Sequence, residues 1–65
     1  HDELTAREFQ VLLKLAQGKL PREVARELNL SSRTVGVYRG RVMQKLSART
    51  NSDLTYYALK NKLID

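Results

Sequence analysis

Cysteine and tryptophan are absent from these 65 residues, and proline occurs only once. Without cysteine, the chain can form neither a disulfide framework nor a thiolate metal site. The only histidine is His1, which excludes a histidine-rich metal site as well. No apolar run approaches the ~20 residues that a membrane span needs, and no signal-peptide pattern occurs. We therefore expect no metal, no other cofactor and no membrane segment, in a protein of the cytoplasm.

Acidic residues are missing from a long stretch in the middle of the chain. Residues 28–52 contain no Asp or Glu but hold Arg33, Arg39, Arg41, Lys45 and Arg49. These basic side chains alone equal the net charge of +5 of the whole chain. A basic block without acids favours a polyanion as partner, because neutralising phosphates releases condensed counterions. Charge alone is equally compatible with a merely solvated basic surface.

Capping signals and helical periodicity predict four helices and no strand. The first helix begins after Thr5, which forms a capping box with Glu8, and it ends at Gly18 in a left-handed turn. The second runs from Pro21 to Leu28 and stops at Asn29. The inward face of the first helix is predicted to hold Glu8, Val11, Leu12, Leu15 and Ala16.

The third helix, Ser32–Leu46, is capped by Ser31 and has two unlike sides. Its core side holds Val35, Val42 and Leu46. Arg39 falls on the same side, so we expect it to pair with Glu8, whose carboxylate otherwise faces the core. The outer side is basic, small and free of acids: Arg33, Gly36, Val37, Gly40, Arg41 and Gln44.

The fourth helix starts at Thr50, where Asp53 repeats the capping-box pattern. One apolar stripe, Leu54, Tyr57 and Ala58, is predicted to dock it on the core. A second stripe, Thr55, Tyr56 and Leu59, is then left facing outward. The whole of residues 1–65 is thus predicted to be one compact all-α domain.

The second and third helices are separated by a turn of three residues, Asn29, Leu30 and Ser31. A short bracing helix followed by a longer basic one is the geometry of a helix-turn-helix, whose second helix enters the major groove of DNA. Periodicity alone also fits a plain helical bundle. The basic outer side favours the DNA-binding interpretation.

Many separated residues resemble one known family, the LuxR/FixJ/NarL-type DNA-binding domain. They are Leu4-Thr5-Ala6-Arg7-Glu8, Val11-Leu12, Ala16-Gln17-Gly18, Glu23-Val24-Ala25, Leu28, Leu30-Ser31, Thr34-Val35 and Lys45-Leu46, and residues 31–39 are most similar to the FixJ branch. The resemblance implies a four-helix fold with the third helix as recognition helix. It also implies the C-terminal output domain of a bacterial regulator, commonly a two-component response regulator, preceded by a receiver or sensor domain.

In that family the recognition helix contacts bases at the positions of Gly36, Val37 and Gly40, and relatives often carry long polar residues where the two glycines stand here. Because glycine cannot read a base with a side chain, we expect direct readout to shift to Arg33, Val37, Arg41 and Gln44. Both arginines could equally contact phosphate only. The glycines either allow close approach of the backbone to the duplex or are simply tolerated.

Phosphate contacts are predicted around these base-reading positions. The start of the helix offers free N–H groups and a positive dipole end to a phosphate, and Ser31 serves there mainly as a cap. The flanks supply further polar and basic groups. The predicted phosphate contacts are Ser31, Ser32, Thr34, Tyr38, Lys45 and Arg49.

The resemblance further implies a homodimer through Thr55, Tyr56 and Leu59 of the last helix, placed on paired half-sites. The alternative function is a helical interaction module, similar to domain four of sigma factors, that contacts RNA polymerase. An enzyme is not expected, because the fold contains no catalytic histidine, cysteine or glycine-rich phosphate loop. We interpret Glu23 and Glu27 as ordinary surface patterning.

Overall fold

The computed structural model describes residues 3–65 as four α-helices joined by short turns. The helices are α1 (Ala6–Ala16), α2 (Pro21–Leu28), α3 (Ser32–Leu46) and α4 (Asn51–Lys60). Residues 3–65 contain no strand, and they occupy 28 × 21 × 20 Å. The predicted all-α, four-helix class is confirmed. His1, on which the exclusion of a histidine site rests, lies outside the described residues.

The predicted signals set both ends of α1. The Thr5 hydroxyl accepts the Glu8 amide at 3.1 Å, and the Glu8 carboxylate accepts the Thr5 amide at 2.9 Å. This capping box satisfies amides that every helix start leaves without partners. At the other end Gly18 has φ 94°, and the Lys19 amide reaches back to the Lys14 carbonyl at 3.2 Å. The chain can turn sharply there because glycine has no Cβ to clash.

The turn between α2 and α3 has helix-turn-helix form. Asn29 lies in the left-handed region, with φ 57° and ψ 46°, and ends α2. The Leu30 amide donates to the Ala25 carbonyl at 2.8 Å, and Leu30 packs against the core. The Ser31 hydroxyl then accepts the Thr34 amide at 3.1 Å and opens α3. The short turn therefore fixes α3 firmly against α2.

Helix α1 lies at the centre of the domain and packs against the other three helices, while α2 also packs on α3. The inward face predicted for α1 is confirmed, since all its members are buried. The core cluster draws on every helix: Val11, Leu12, Leu15, Val24, Ala25, Val35, Val42 and Leu54. Within residues 3–65, no buried side-chain nitrogen or oxygen lacks a hydrogen-bond partner.

The connection from α3 to α4 is a tight turn around Ser47, which adopts a left-handed conformation with φ 56°. The Asp53 carboxylate accepts the amides of Arg49 at 2.8 Å and Thr50 at 3.0 Å. These two backbone hydrogen bonds lower the pKa of Asp53, and the bond from the Arg49 amide has the larger effect. The predicted start of α4 at Thr50 is confirmed.

Glu27, interpreted from the sequence as an ordinary surface residue, forms two ion pairs. Its carboxylate pairs with Lys14 at 2.6 Å and with Lys19 at 2.7 Å. The hydrogen bond from Lys14, followed by that from Lys19, lowers the pKa of Glu27 to about 2. The two lysines thereby tie α1 and the turn after it to α2, the helix that braces α3.

Candidate nucleic-acid interface

One side of α3 takes no part in packing the domain. We call it the open face; it consists of Arg33, Gly36, Val37, Gly40, Arg41 and Gln44, all of them exposed. The opposite side of the same helix carries Val35 and Val42, neither of which has any exposed surface. Val37 is 49% exposed although it is apolar, so the fold leaves about half of its surface uncovered.

The charge of the open face is not neutralised within the described part of the chain. Ion pairs among residues 3–65 involve Lys14, Lys19 and Lys45, whereas Arg33 and Arg41 form none. A guanidinium presents five N–H donors in a planar fork that matches phosphate or the O6 and N7 atoms of guanine. The open face therefore offers an anionic partner two guanidinium groups without carboxylate partners.

Gly36 and Gly40 leave a strip of bare helix backbone on this face. A Cβ placed on either residue would meet no atom within 4 Å. Crowding inside the domain thus does not require glycine at these positions, although each costs a helix about 1 kcal/mol relative to alanine. Close approach of a partner to the backbone and simple tolerance are the two explanations that remain.

The start of α3 confirms Ser31 as the cap. Its hydroxyl accepts the Thr34 amide and donates to the Thr34 hydroxyl oxygen at 2.9 Å. Ser32 is exposed in the first turn, and α3 has no acidic residue there. The positive end of the helix is consequently accessible to an anion and is not shielded by a carboxylate of its own turn.

Tyr38 lies at the boundary between the core and the open face. The residue is half-buried and packs against the core cluster. The guanidinium carbon of Arg41 lies 5.9 Å from the centre of its ring, a separation within the range of cation–π attraction. This places a charged side chain of the open face against an aromatic ring that the core holds.

The predicted pairing of Arg39 with Glu8 is wrong. Arg39 donates from Nε to the side-chain oxygen of Asn51 at 3.0 Å. The partner of Glu8 is Lys45, with Nζ 2.8 Å from Oε1. The reason is the direction in which the helices pack: the last turn of α3 lies beside the first turn of α1, whereas its middle reaches the start of α4.

Lys45 consequently has a structural role. Its ammonium also donates to the Glu3 carbonyl at 3.1 Å. The hydrogen bond from Lys45, supported by the Thr5 amide, lowers the pKa of Glu8, so this buried carboxylate stays charged. The sequence predicts Lys45 as a phosphate contact; we propose instead that the exposed Lys45 serves mainly to hold Glu8 and the Glu3 carbonyl.

The outward stripe predicted for α4 is correct for two of its three members. Tyr56 is 66% exposed and Leu59 47% exposed. Thr55 is half-buried, since its hydroxyl donates to the Ala16 carbonyl at 3.1 Å and to the Asn51 carbonyl at 3.2 Å where α4 packs on the end of α1. Tyr56 and Leu59 line a shallow groove together with Leu20. Thr55 nevertheless lines the same groove as the other two residues of the stripe.

Residues 3–65 contain no group of three or more side chains that could hold a metal ion. No helix in that range is long and apolar enough to cross a membrane.

Arg49, the last of the predicted phosphate contacts along the chain, is exposed at the turn after α3. The predicted base and phosphate contacts therefore all lie on α3 or in the turns at its two ends.

Comparison with known proteins identifies relatives among bacterial regulators. Residues 2–58 match the family model of bacterial regulatory proteins of the luxR family. The oxygen regulatory protein NreC of Staphylococcus carnosus is 39% identical over 62 residues, which cover 95% of this chain and 29% of that protein. The transcriptional regulatory protein UhpA of Escherichia coli is 49% identical over 53 residues, covering 82% and 27%. The response regulator UvrY of Escherichia coli is 37% identical over 60 residues, covering 92% and 28%. This chain therefore spans less than a third of the length of these relatives.

Proposed function

This chain belongs to the luxR family of bacterial regulatory proteins, and we propose that it binds double-stranded DNA by laying the open face of α3 in the major groove. The observation that carries the proposal is the contrast within one helix. The inner side of α3 is buried, whereas the outer side combines bare backbone with guanidinium groups that form no ion pair within residues 3–65. The major groove is wide enough for one α-helix and is bordered by phosphates.

We assign base contacts to Arg33, Val37, Arg41 and Gln44, with Gly36 and Gly40 meeting the duplex through their backbone. A guanidinium can bind guanine O6 and N7, and Val37 can contact a thymine methyl group. Phosphate contacts are assigned to the start of α3 and to its flanks, at Ser31, Ser32, Thr34, Tyr38 and Arg49. At the start of α3, free amides and the helix dipole favour an anion.

We further propose that the domain is the C-terminal output domain of a longer transcriptional regulator. The similar proteins are named as regulators and a response regulator, and each is more than three times as long as the matched segment. In such a protein a receiver or sensor domain would precede residue 1 and control access to DNA. The nearness to the FixJ branch in particular stays a prediction.

Salt dependence of duplex binding tests the proposal. Fluorescence anisotropy with a labelled duplex, selected from a random pool, should show log affinity falling steeply with log salt, by about 0.9 for each phosphate neutralised. Arg33→Gln should either reduce this slope by about one or relax the preference at one base pair. Lys62→Gln, an exposed lysine beyond α4, is the matched control and should change neither.

The same measurement addresses the alternative of a helical module that docks on RNA polymerase. Apolar docking would show little salt dependence, whereas phosphate binding requires it. No measurable affinity for any duplex at low salt would overturn DNA binding and favour the interaction module.

We also propose that α4 forms a homodimer contact through Tyr56 and Leu59. Both side chains are exposed apolar groups that line one groove with Leu20, and a twofold pair of domains would fit an operator with two half-sites. Tyr56→Asp should abolish cooperative binding to two half-sites and leave binding to one half-site unchanged. Cooperative binding that survives this substitution would contradict the dimer.

A further inference from the structure

We infer that Tyr38 is a positioning residue for DNA recognition: its ring holds the guanidinium of Arg41 in place at the edge of the open face before DNA arrives. The inference rests on the proposed function and deepens it. It assigns to the ring a role separate from the phosphate contact assigned to the hydroxyl group.

The two side chains meet because of the helical geometry of α3. Residues three apart are neighbours on a helix surface, and a long side chain leans back over the preceding turn. Arg41 accordingly lies over the ring of Tyr38, with 5.9 Å between the guanidinium carbon and the ring centre. Stacking on an aromatic face is a contact for which the planar guanidinium is well suited.

The ring is the fixed partner of this pair and the arginine the mobile one. Tyr38 is half-buried and packs against the core cluster, whereas Arg41 is exposed. Holding an arginine over an anchored ring reduces the rotamer freedom that remains to be lost when DNA binds. The other contact of this kind in residues 3–65, Lys60 over Tyr56 at 6.0 Å, lies on α4, away from the open face.

Stacking also leaves the arginine able to bind. Within residues 3–65, no hydrogen bond or ion pair occupies the guanidinium of Arg41, so its N–H donors stay free for guanine or phosphate oxygens while the ring centre lies 5.9 Å from its carbon. An ion pair would instead occupy donors, as it does for Lys45 on Glu8. With bare backbone at Gly36 and Gly40, few side chains remain to read bases, so the placement of Arg41 has a correspondingly large effect on sequence preference.

Four variants test the inference on a duplex selected by the wild-type protein: Tyr38→Phe, Tyr38→Leu, Arg41→Ala and the double variant Tyr38→Leu/Arg41→Ala. Tyr38→Phe keeps the ring and loses only the contact of the hydroxyl group, so it is the reference for the ring. Tyr38→Leu should bind roughly two- to fivefold more weakly than Tyr38→Phe, the effect of one exposed cation–π contact. In the Arg41→Ala background, Tyr38→Leu should weaken binding no more than Tyr38→Phe does in the wild type, because only the contact of the hydroxyl group is then lost. Thermal unfolding of each variant corrects the affinities for the folded fraction.

Equal losses for Tyr38→Phe and Tyr38→Leu would assign the role to the hydroxyl group and overturn the inference. A Tyr38→Leu effect that persists unchanged without Arg41 would overturn it as well.

A measurement without DNA separates this inference from the proposed function. In the free protein, ring currents should shift the side-chain proton resonances of Arg41 in the wild type and in Tyr38→Phe, but not in Tyr38→Leu. The same Arg41 shifts in all three proteins would refute the positioning. If the shifts behave as expected but no duplex binds at low salt, the proposed function fails, and with it the role in recognition, while the stacking stands.

Discussion

The two sides of α3 differ in burial and in whether their charged groups have partners. On the inner side Val35 and Val42 are fully buried. Lys45, exposed at the end of the helix, has an ion-pair partner within the domain. On the open face the guanidinium groups pair with no carboxylate of residues 3–65. Val37 is half exposed there, and a Cβ on either glycine would meet nothing within 4 Å. The inner side is explained by folding alone, whereas the exposed groups of the open face contribute little to the fold, and we propose that they meet a partner outside the chain.

Substitutions on the two sides should therefore affect two different measured quantities, the free energy of unfolding and the affinity for DNA. Substitutions on the inner side should change the free energy of unfolding and leave the affinity for DNA per folded molecule unaltered. Substitutions on the open face should do the reverse, because those side chains contribute little to packing.

The largest effects on stability and on DNA affinity are expected when aspartate replaces a valine on either side of α3. Val42→Asp buries a carboxylate without a partner and should cost more than about 4 kcal/mol, close to the whole stability of a small domain. Val37→Asp should leave the thermal midpoint nearly unchanged and weaken duplex binding roughly 10- to 100-fold, because a negative charge then faces phosphates. Circular dichroism and anisotropy measure the two effects. A folded, DNA-binding Val42→Asp protein would contradict the difference proposed between the two sides of α3.

Removing the ammonium that faces Glu8 should have the next largest effect on stability. Lys45→Met leaves a buried carboxylate without its partner and should lower the thermal midpoint at neutral pH, whereas Lys62→Met, the exposed control, should not. Because Lys45 lowers the pKa of Glu8 from its ordinary 4.5, the stabilisation is fully present above that value. It is lost as the pH falls through the lower pKa of the folded state.

The check is thermal unfolding of the wild type and of Lys45→Met from pH 7 down to pH 3. The gap between the two midpoints should narrow as the solution becomes acidic. A gap that stays constant over this range would contradict a charge-based role for the pair.

Alanine at a glycine of the open face should give the smallest change in stability, and with the opposite sign. Gly36→Ala should stabilise the domain by up to about 1 kcal/mol, since the added Cβ meets nothing within 4 Å. Close approach of the backbone predicts roughly five- to tenfold weaker DNA binding for the same variant. Gln10→Ala on the exposed side of α1 is the control for both measurements. Unchanged affinity of Gly36→Ala would leave tolerance as the explanation for the glycine.

Sequence reasoning recovered the helices because their signals are local. The capping pairs at Thr5 and Thr50 and the left-handed stop at Asn29 involve residues at most a few positions apart. The buried face of α1 follows from spacing on one helix, and it is correct even for Glu8. In each case the chain itself brings the interacting groups together, before the helices dock.

The errors arose where the docking of two helices decides the partner. Arg39 and Lys45 both lie on α3, and spacing alone favoured Arg39 as the partner of Glu8, but the last turn of α3 is the one beside α1. For the same reason the spacing did not indicate that Thr55 is half-buried, since the Ala16 carbonyl that accepts its hydroxyl belongs to α1. The stacking of Arg41 on Tyr38, by contrast, follows from spacing of three on one helix, and that signal was available in the sequence.

The central claim, that the open face of α3 is the surface that meets DNA, is tested most directly by the amide resonances of the three glycines during a duplex titration. Gly36 and Gly40 lie on the open face, whereas Gly18 lies in the turn after α1 and serves as an internal control. Large shifts or broadening at Gly36 and Gly40, with Gly18 little changed, are the predicted result. The principal change at Gly18 and along the groove at Tyr56 and Leu59, with Gly36 and Gly40 unmoved, would contradict the claim.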